Sequence, residues 1–351
     1  MVHFTPLRTE RKLVAPLWGG SRLPAWLNLP PPRPERLGET WQVFETNRVT
    51  DGPFAGHTLA ALVTTYGAAL VGTRTAARYG ADFPLLAKFI DAGDRLSLQV
   101  HPDDYFAHNY EAHTGFHGKM EAWYILDAAP NATVTYGLKR PCTQTEFAAA
   151  VAAGTVETLM NQLPVAPADV IFVPAGTIHA INAGILLFEI QQKSDLTYRV
   201  YDYGRVDSKT GLPRELHLAK ALAISSFDPT HQGKVLPLAL TPNRDLLIAC
   251  PYFALERWTC RAPIASTTDP ASFEILTVIG GTGTLQWPTG TMTLAHGESV
   301  VLPATLGEWA IAPLDHELTL LRAYVPDLAA LTSTAYQVTP DEQCVAEVVR
   351  W

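Results

Sequence analysis

The sequence has four cysteines in 351 residues, Cys142, Cys250, Cys260 and Cys344, and no Cys-x-x-Cys pair. So wide a scatter excludes a disulfide framework, and free, largely buried thiols are expected. Positive charge is also in short supply. Twenty-six Lys and Arg stand against 34 Asp and Glu, for a formal net charge of −8, which excludes a general nucleic-acid binder with a basic face. One local basic pocket is still compatible with that balance. No stretch approaches the ~20 apolar residues of a membrane helix, so no membrane partner is expected. Met1-Val-His-Phe-Thr-Pro-Leu-Arg-Thr-Glu-Arg11 lacks the apolar centre of a signal peptide, and the expectation is a cytoplasmic protein. What the chain does have is apolar content, 47% hydrophobic against 17% charged. That describes an ordinary globular protein with a sizeable core, long enough for two or three domains.

Three stretches concentrate the chemistry. They are Leu96-Ser-Leu-Gln-Val-His-Pro-Asp-Asp104, Gly118-Lys-Met-Glu-Ala-Trp-Tyr-Ile-Leu126 and Val173-Pro-Ala-Gly-Thr-Ile-His-Ala-Ile181. Together they offer Gln99, His101, Glu121 and His179, residue types that hold a divalent metal such as zinc. Side chains alternate along a strand, so Gln99 and His101 share one face and Lys119, Glu121 and Trp123 share another. A metal beside a lysine suits an anionic, oxygen-rich small molecule.

Taken in order, the Pro-rich residues 1–37 should run extended. Gly38–Phe44 alternates as a strand, with Trp41 as a core or pocket-wall aromatic. Residues 56–74 read as one or two short helices, and Pro84–Asp91 as a buried strand. Asp103–His117 reads as a polar loop. Its His108, His113 and His117 could supply a second metal set, but a loop does not hold ligands on one face, and surface histidines are the expectation. Thr143-Gln-Thr-Glu146 is a capping box that opens helix over 147–153 and again over 156–163. Strands follow at 169–174, 177–181 and 186–192, with Tyr198, Tyr201 and Tyr203 placed in barrel surface and core. A helix is expected at 213–223 and a linker at 229–242. From there the chain reads as strand almost to the end, finishing with Cys344–Val349. Short strands with Gly/Pro turns at this spacing favour a β-sandwich or barrel over a parallel sheet.

The second half echoes the first. Asp169-Val-Ile-Phe-Val-Pro-Ala175 resembles Glu298-Ser-Val-Val-Leu-Pro-Ala304, His179-Ala-Ile181 resembles Trp309-Ala-Ile311, and Glu121–Leu126 resembles Glu274–Ile279. In the second copy Trp309 stands where the ligand histidine would be, and no Gln-x-His precedes it. Two similar β-domains are expected, at 1–235 and 236–351, only the first able to hold a metal.

The motifs resemble, in order, those of the class I mannose-6-phosphate isomerases in their short bacterial form. They include Gly38-Glu-Thr-Trp41, the three stretches above and Glu189-Ile-Gln-Gln-Lys-Ser-Asp-Leu-Thr-Tyr-Arg-Val-Tyr-Asp-Tyr-Gly-Arg205. The resemblance runs from about Gly38 to Cys250-Pro-Tyr-Phe253. It implies a mainly β fold of two cupin jelly-roll barrels, with helical additions to the first. It implies one Zn2+ per chain held by His101, Glu121 and His179, with Gln99 as a fourth ligand in long-form relatives. Arg199 falls at the active-site arginine, and Lys119 and Asp195 at positions considered for proton transfer. The expected partner is a sugar phosphate, and the expected state a monomer or homodimer. Gln42, Met120, Ala122 and Lys193 depart from the family pattern without removing a ligand, and Lys193 bears on substrate preference.

Interconverting an aldose and a ketose phosphate moves a proton between C1 and C2 through an enediol, and the developing oxyanion must be stabilised. The base can be Lys119 with a lowered pKa, Asp195 or a metal-bound hydroxide. Arg199 suits either the phosphate or the oxyanion. The same ligands are also compatible with an isomerase or epimerase acting on another sugar, with a sugar-binding cupin that has lost catalysis, or with a cupin dioxygenase. The last leaves the long match unexplained.

Overall fold

A computed structural model describes residues 3–207, 210–229 and 233–351. The chain forms two compact units that interleave in sequence, one of residues 13–40 and 89–234, the other of 1–12, 41–88 and 235–351. The change of unit after Lys234 lies beside the expected 235/236 boundary, while 1–12 and 41–88 group with the C-terminal part of the chain.

The unit of residues 13–40 and 89–234 has a smaller sheet in the strand order Tyr198–Tyr201, Leu98–Val100, His179–Ile181, Thr133–Leu138, Met160–Pro164. Its larger sheet places Glu121–Ala128 between Val170–Val173 and Ile185–Gln192, with Leu85–Ala92 next. One core joins the two sheets. Ile90, Trp123, Ile171, Val173 and Leu187 from the larger sheet pack with Val134, Tyr136 and Ile181 from the smaller. Each such buried side chain contributes ~1.5–3 kcal/mol. This is the inside of a jelly roll, and Glu121 and His179 enter it from opposite sheets.

The second unit repeats the order. Ser299–Leu302, Glu274–Gly280, Leu318–Tyr324 and Ala254–Cys260 are neighbours in one sheet, and Ile264–Thr267, Glu308–Pro313, Gly283–Trp287 and Gly290–Leu294 form the other. Register matches as well as order. Glu121 pairs with Val173, and Glu274 with Leu302 of the parallel Leu-Pro-Ala stretch. His179 pairs with Gln99, and Trp309 with Ser266. The positions of His101, Glu121 and His179 thus correspond to Thr268, Glu274 and Trp309. The fold is mainly β, with two cupin jelly rolls.

Several local expectations are corrected. The supposed loop after Asp103 contains a helix, Asp104–Tyr110, capped where Phe106 N–H donates to Asp103 Oδ1 (2.8 Å). Only Ala107 of that helix is buried, so the sequence carries no apolar stripe to betray it. Residues 156–163 are not one helix. A 3-10 turn at Val156–Leu159 runs into the strand Met160–Pro164, which pairs with Thr133–Leu138, and pairing at a sheet edge overrides helical spacing. The helix expected at 213–223 spans Leu218–Ile224. Before it, Pro213 bridges Val206, His217 N–H donates to Arg199 O (2.8 Å), and Arg199 N–H donates to the His217 ring at Nδ1 (3.2 Å). Residues 230–232 of the expected linker lie outside the described residues, and Lys234–Val235 and Leu238–Thr241 are strands. The C-terminal strand reading also gives way to two helices, Leu328–Val338 and Glu342–Val348, started by Asp327 and Asp341 as caps. All four cysteines are free, with Cys250 and Cys260 buried, Cys142 half-buried and Cys344 exposed.

Candidate metal centre

Leu98 and Val100 point into an apolar cluster, which turns Gln99 to the opposite face. Gln99 is paired with His179 on one side and Arg199 on the other. His179, Gln99 and Arg199 therefore form a row across three strands, since directly paired residues share a face. His101 follows the end of the Leu98–Val100 strand, and Glu121 begins its own strand opposite.

His101, Glu121 and His179 are 1%, 1% and 0% exposed, and one ligand atom from each lies within 4.8 Å of the others. Both rings are oriented by main-chain carbonyls. His101 Nδ1 donates to Leu196 O and His179 Nδ1 to Thr177 O, each at 2.9 Å. Each Nε2 therefore turns its lone pair to the centre, the arrangement that prepares a histidine as a ligand. His179 Nε2 lies 3.2 Å from Glu121 Oε1, and His101 Nε2 3.5 Å from Glu121 Oε2. Glu121 Oε1 is buried without a hydrogen-bond partner. Two buried groups of this kind facing each other at 3.2 Å fit a cation held between them. The donor set of two imidazoles and a carboxylate fits a zinc-type ion with a position left open.

Lys119, 4% exposed, reaches into the same centre. Its Nζ lies 2.5 Å from Glu121 Oε2 and 2.9 Å from His101 Nε2. Burial, then the Lys119 ammonium, holds His101 well below the usual imidazole range. Burial alone would push Glu121 up, but Lys119, His101 and His179 outweigh it and keep the carboxyl well below the usual range.

Gln99 Nε2 is 3.4 Å from His179 Nε2, so its amide faces the ligand set. Arg199 flanks it, with Nη1 donating to Glu215 O (2.8 Å) and Nε buried without a partner. Asp195 is not brought into the buried group. Its side chain is exposed, one residue from the Leu196 carbonyl that orients His101. Sequence reading missed the supports. Trp123 Nε1 donates to Glu189 Oε2 (2.8 Å), Tyr198 OH to Glu111 Oε1 (2.6 Å), and Met120 N to Gln192 Oε1 (3.0 Å). Tyr198 is buried, as expected of a core residue, but the acid that holds it lies 87 residues away, and only the fold brings the two together.

Residues 9–131 match the family model for the phosphomannose isomerase type I catalytic domain, and residues 243–324 that for the mannose-6-phosphate isomerase cupin domain. Mannose-6-phosphate isomerase ManA of Bacillus subtilis is 34% identical over 88% of this chain and 95% of its own. The chain belongs to the type I mannose-6-phosphate isomerase family. The mannose-6-phosphate isomerase of Streptococcus mutans is 30% identical over 87% of the chain and 94% of its own. The crystal structure of the Bacillus subtilis mannose 6-phosphate isomerase superposes with a TM-score of 0.81 at 33% identity, covering 91% of this chain and 99% of that one. The apo enzyme from Salmonella typhimurium, at 17% identity and a TM-score of 0.71, shares the fold. The chain is thus an isomerase of this family with a candidate metal centre. Among the described residues no helix is long and apolar enough to cross a membrane.

Proposed function

We propose that the protein interconverts mannose 6-phosphate and fructose 6-phosphate through an enediol, as a zinc enzyme with one ion held by His101, Glu121, His179 and Gln99. The observation that carries this reading is the pair of buried acceptors, Glu121 Oε1 and His179 Nε2, 3.2 Å apart. A bound zinc would supply Lewis-acid stabilisation of the oxygens at C1 and C2.

The remaining work falls to the chain. Lys119 is the titratable group closest to the ligands, and its Nζ is placed to take the proton from one carbon and return it to the other. To do so it must leave Glu121 and act as a neutral amine. Arg199, paired with Gln99 across the sheet and anchored through Nη1 to Glu215 O, can hold the substrate's phosphate or the developing oxyanion. Asp195 stands exposed at the edge, able to organise solvent or a sugar hydroxyl but not to reach the ligand set as it lies. The metal-binding unit carries the reaction and the second jelly roll supports it. The substrate is a small sugar phosphate met in the cytoplasm, by a monomer or homodimer.

A coupled assay for fructose 6-phosphate with zinc-loaded protein, run alongside deuterium exchange at C2, tests this. Turnover with exchange supports the reading. Neither turnover nor exchange in fully zinc-loaded protein overturns it.

A further inference from the structure

We propose that Asp104, His108 and His117 form a second site for a divalent transition metal, outside the buried ligand set. Asp104 and His108 are four residues apart on the Asp104–Tyr110 helix and so share a face. The chain returns through the turn at Ala112–Thr114 and brings His117 to them. His108 Nε2 lies 3.0 Å from His117 Nδ1, and one oxygen of Asp104 completes a set of ligand atoms within 4.8 Å of one another.

This is a built arrangement and not a chance meeting of surface side chains. Asp104 Oδ1 accepts from Gly118 N (2.9 Å) and Gln192 Nε2 (2.8 Å), which fixes the plane of the carboxylate. His117 is held at its backbone on both sides. Its N–H donates to Lys193 O (3.1 Å), and Ser194 Oγ donates to its carbonyl (2.8 Å). His108 is exposed and free to adjust. Zinc–nitrogen bonds of 2.0–2.1 Å at a tetrahedral ion put two ligand nitrogens about 3.3 Å apart. The imidazoles need separate by only a few tenths of an ångström, with the ion replacing the proton they now share. Two imidazoles and one carboxylate favour zinc, cobalt or nickel over magnesium or calcium.

The consequence is mechanical. Asp104 and Gln192 grip the N–H groups of Gly118 and Met120, the residues on either side of Lys119. An ion at this second site ties the helix to the segment that presents Lys119.

The proposal does not depend on which reaction the protein performs. Zinc binding by equilibrium dialysis with elemental analysis tests it on the full chain. Wild type should take up two ions, His108→Ala and His117→Ala one, His179→Ala one, and the double variant His108→Ala/His179→Ala none. Zinc should raise the melting temperature of His179→Ala and leave the double variant unmoved. Cobalt should show a second set of visible bands in wild type that His108→Ala lacks. Equal zinc uptake by wild type and His108→Ala across the titration, or no uptake by His179→Ala, would overturn it. That result would leave His108 and His117 as a plain hydrogen-bonded pair.

Discussion

Glu274 holds in the second jelly roll the register position that Glu121 holds in the first, and it is closed off by Arg322. Arg322 Nε and Nη2 donate to its two oxygens, both at 2.8 Å. The buried carboxylate is common to both units, whereas its cation differs. A metal-competent centre has one acidic and two imidazole ligands; here a guanidinium fills the need, and Thr268 and Trp309 replace the histidines.

Arg322 also donates to Glu256 (3.2 Å), which Arg244, Trp258 and Tyr324 contact as well. Arg322→Met should leave two buried carboxylates short of charge and destabilise the protein by about 3–5 kcal/mol, the usual penalty for breaking a buried pair. Urea unfolding checks this, and a loss below about 1 kcal/mol would contradict the assignment. Zinc should not rescue the variant, because the histidines are missing.

The same network predicts a pH dependence. Burial pushes Glu256 up, but Arg322 and Arg244 with the Trp258 and Tyr324 hydrogen bonds outweigh it, so its pKa lies below the ordinary value. A depressed carboxyl pKa contributes stability that is fully present above the unfolded value of about 4.3 and is lost as pH falls through the folded one. Between pH 6 and pH 3, wild type should therefore lose stability more steeply than Glu256→Gln. Parallel unfolding curves for the two proteins would show that Glu256 is not linked to acid unfolding.

Lys119 occupies the His101 lone pair that an ion would need. His101 Nε2 has one lone pair, and Lys119 Nζ, at 2.9 Å, is placed to donate into it. An ion can bind only if that contact opens. Lys119→Met should abolish turnover yet tighten zinc binding at the buried site on the order of tenfold, the worth of one charged hydrogen bond. Competition against a chelator, in the His108→Ala background, measures it. Unchanged or weaker affinity would mean that the lysine does not block the ion.

Arg199 makes a separate prediction. Its backbone pairs with that of Gln99, and its side chain donates to Glu215 O. Arg199→Met should reduce kcat/KM by at least about a hundredfold, the scale of a lost oxyanion or phosphate contact, while zinc content stays at the wild-type value. A loss of zinc in parallel with activity would recast the residue as a support for the metal.

Much of this centre is legible in the chain because Gln99, Glu121 and His179 lie on strands, where a period of two fixes the face, and His101 directly follows one. Gln99 between Leu98 and Val100, and His179 in His-Ala-Ile, needed only that rule. The repeat was legible too, since Val173-Pro-Ala and Leu302-Pro-Ala keep their turns. What escaped depends on long-range or main-chain partners. The Leu196 and Thr177 carbonyls that aim the histidines carry no side-chain signal. Asp104 and His108 carry no helical signature, because their short helix buries only Ala107. The C-terminal helices are masked by β-branched residues, Thr332, Thr334 and Val338 in the first and Val345 and Val348 in the second, with Asp327 and Asp341 as local cues. The interleaving of 1–12 and 41–88 with the C-terminal part of the chain has no mark in local pattern at all.

The most direct test of the central claim is anomalous diffraction at the zinc edge from zinc-loaded crystals. A peak about 2.0–2.1 Å from both His101 Nε2 and His179 Nε2, and about 2.0–2.2 Å from an oxygen of Glu121, is the predicted result. A zinc-loaded, active protein with no peak at that position would contradict it.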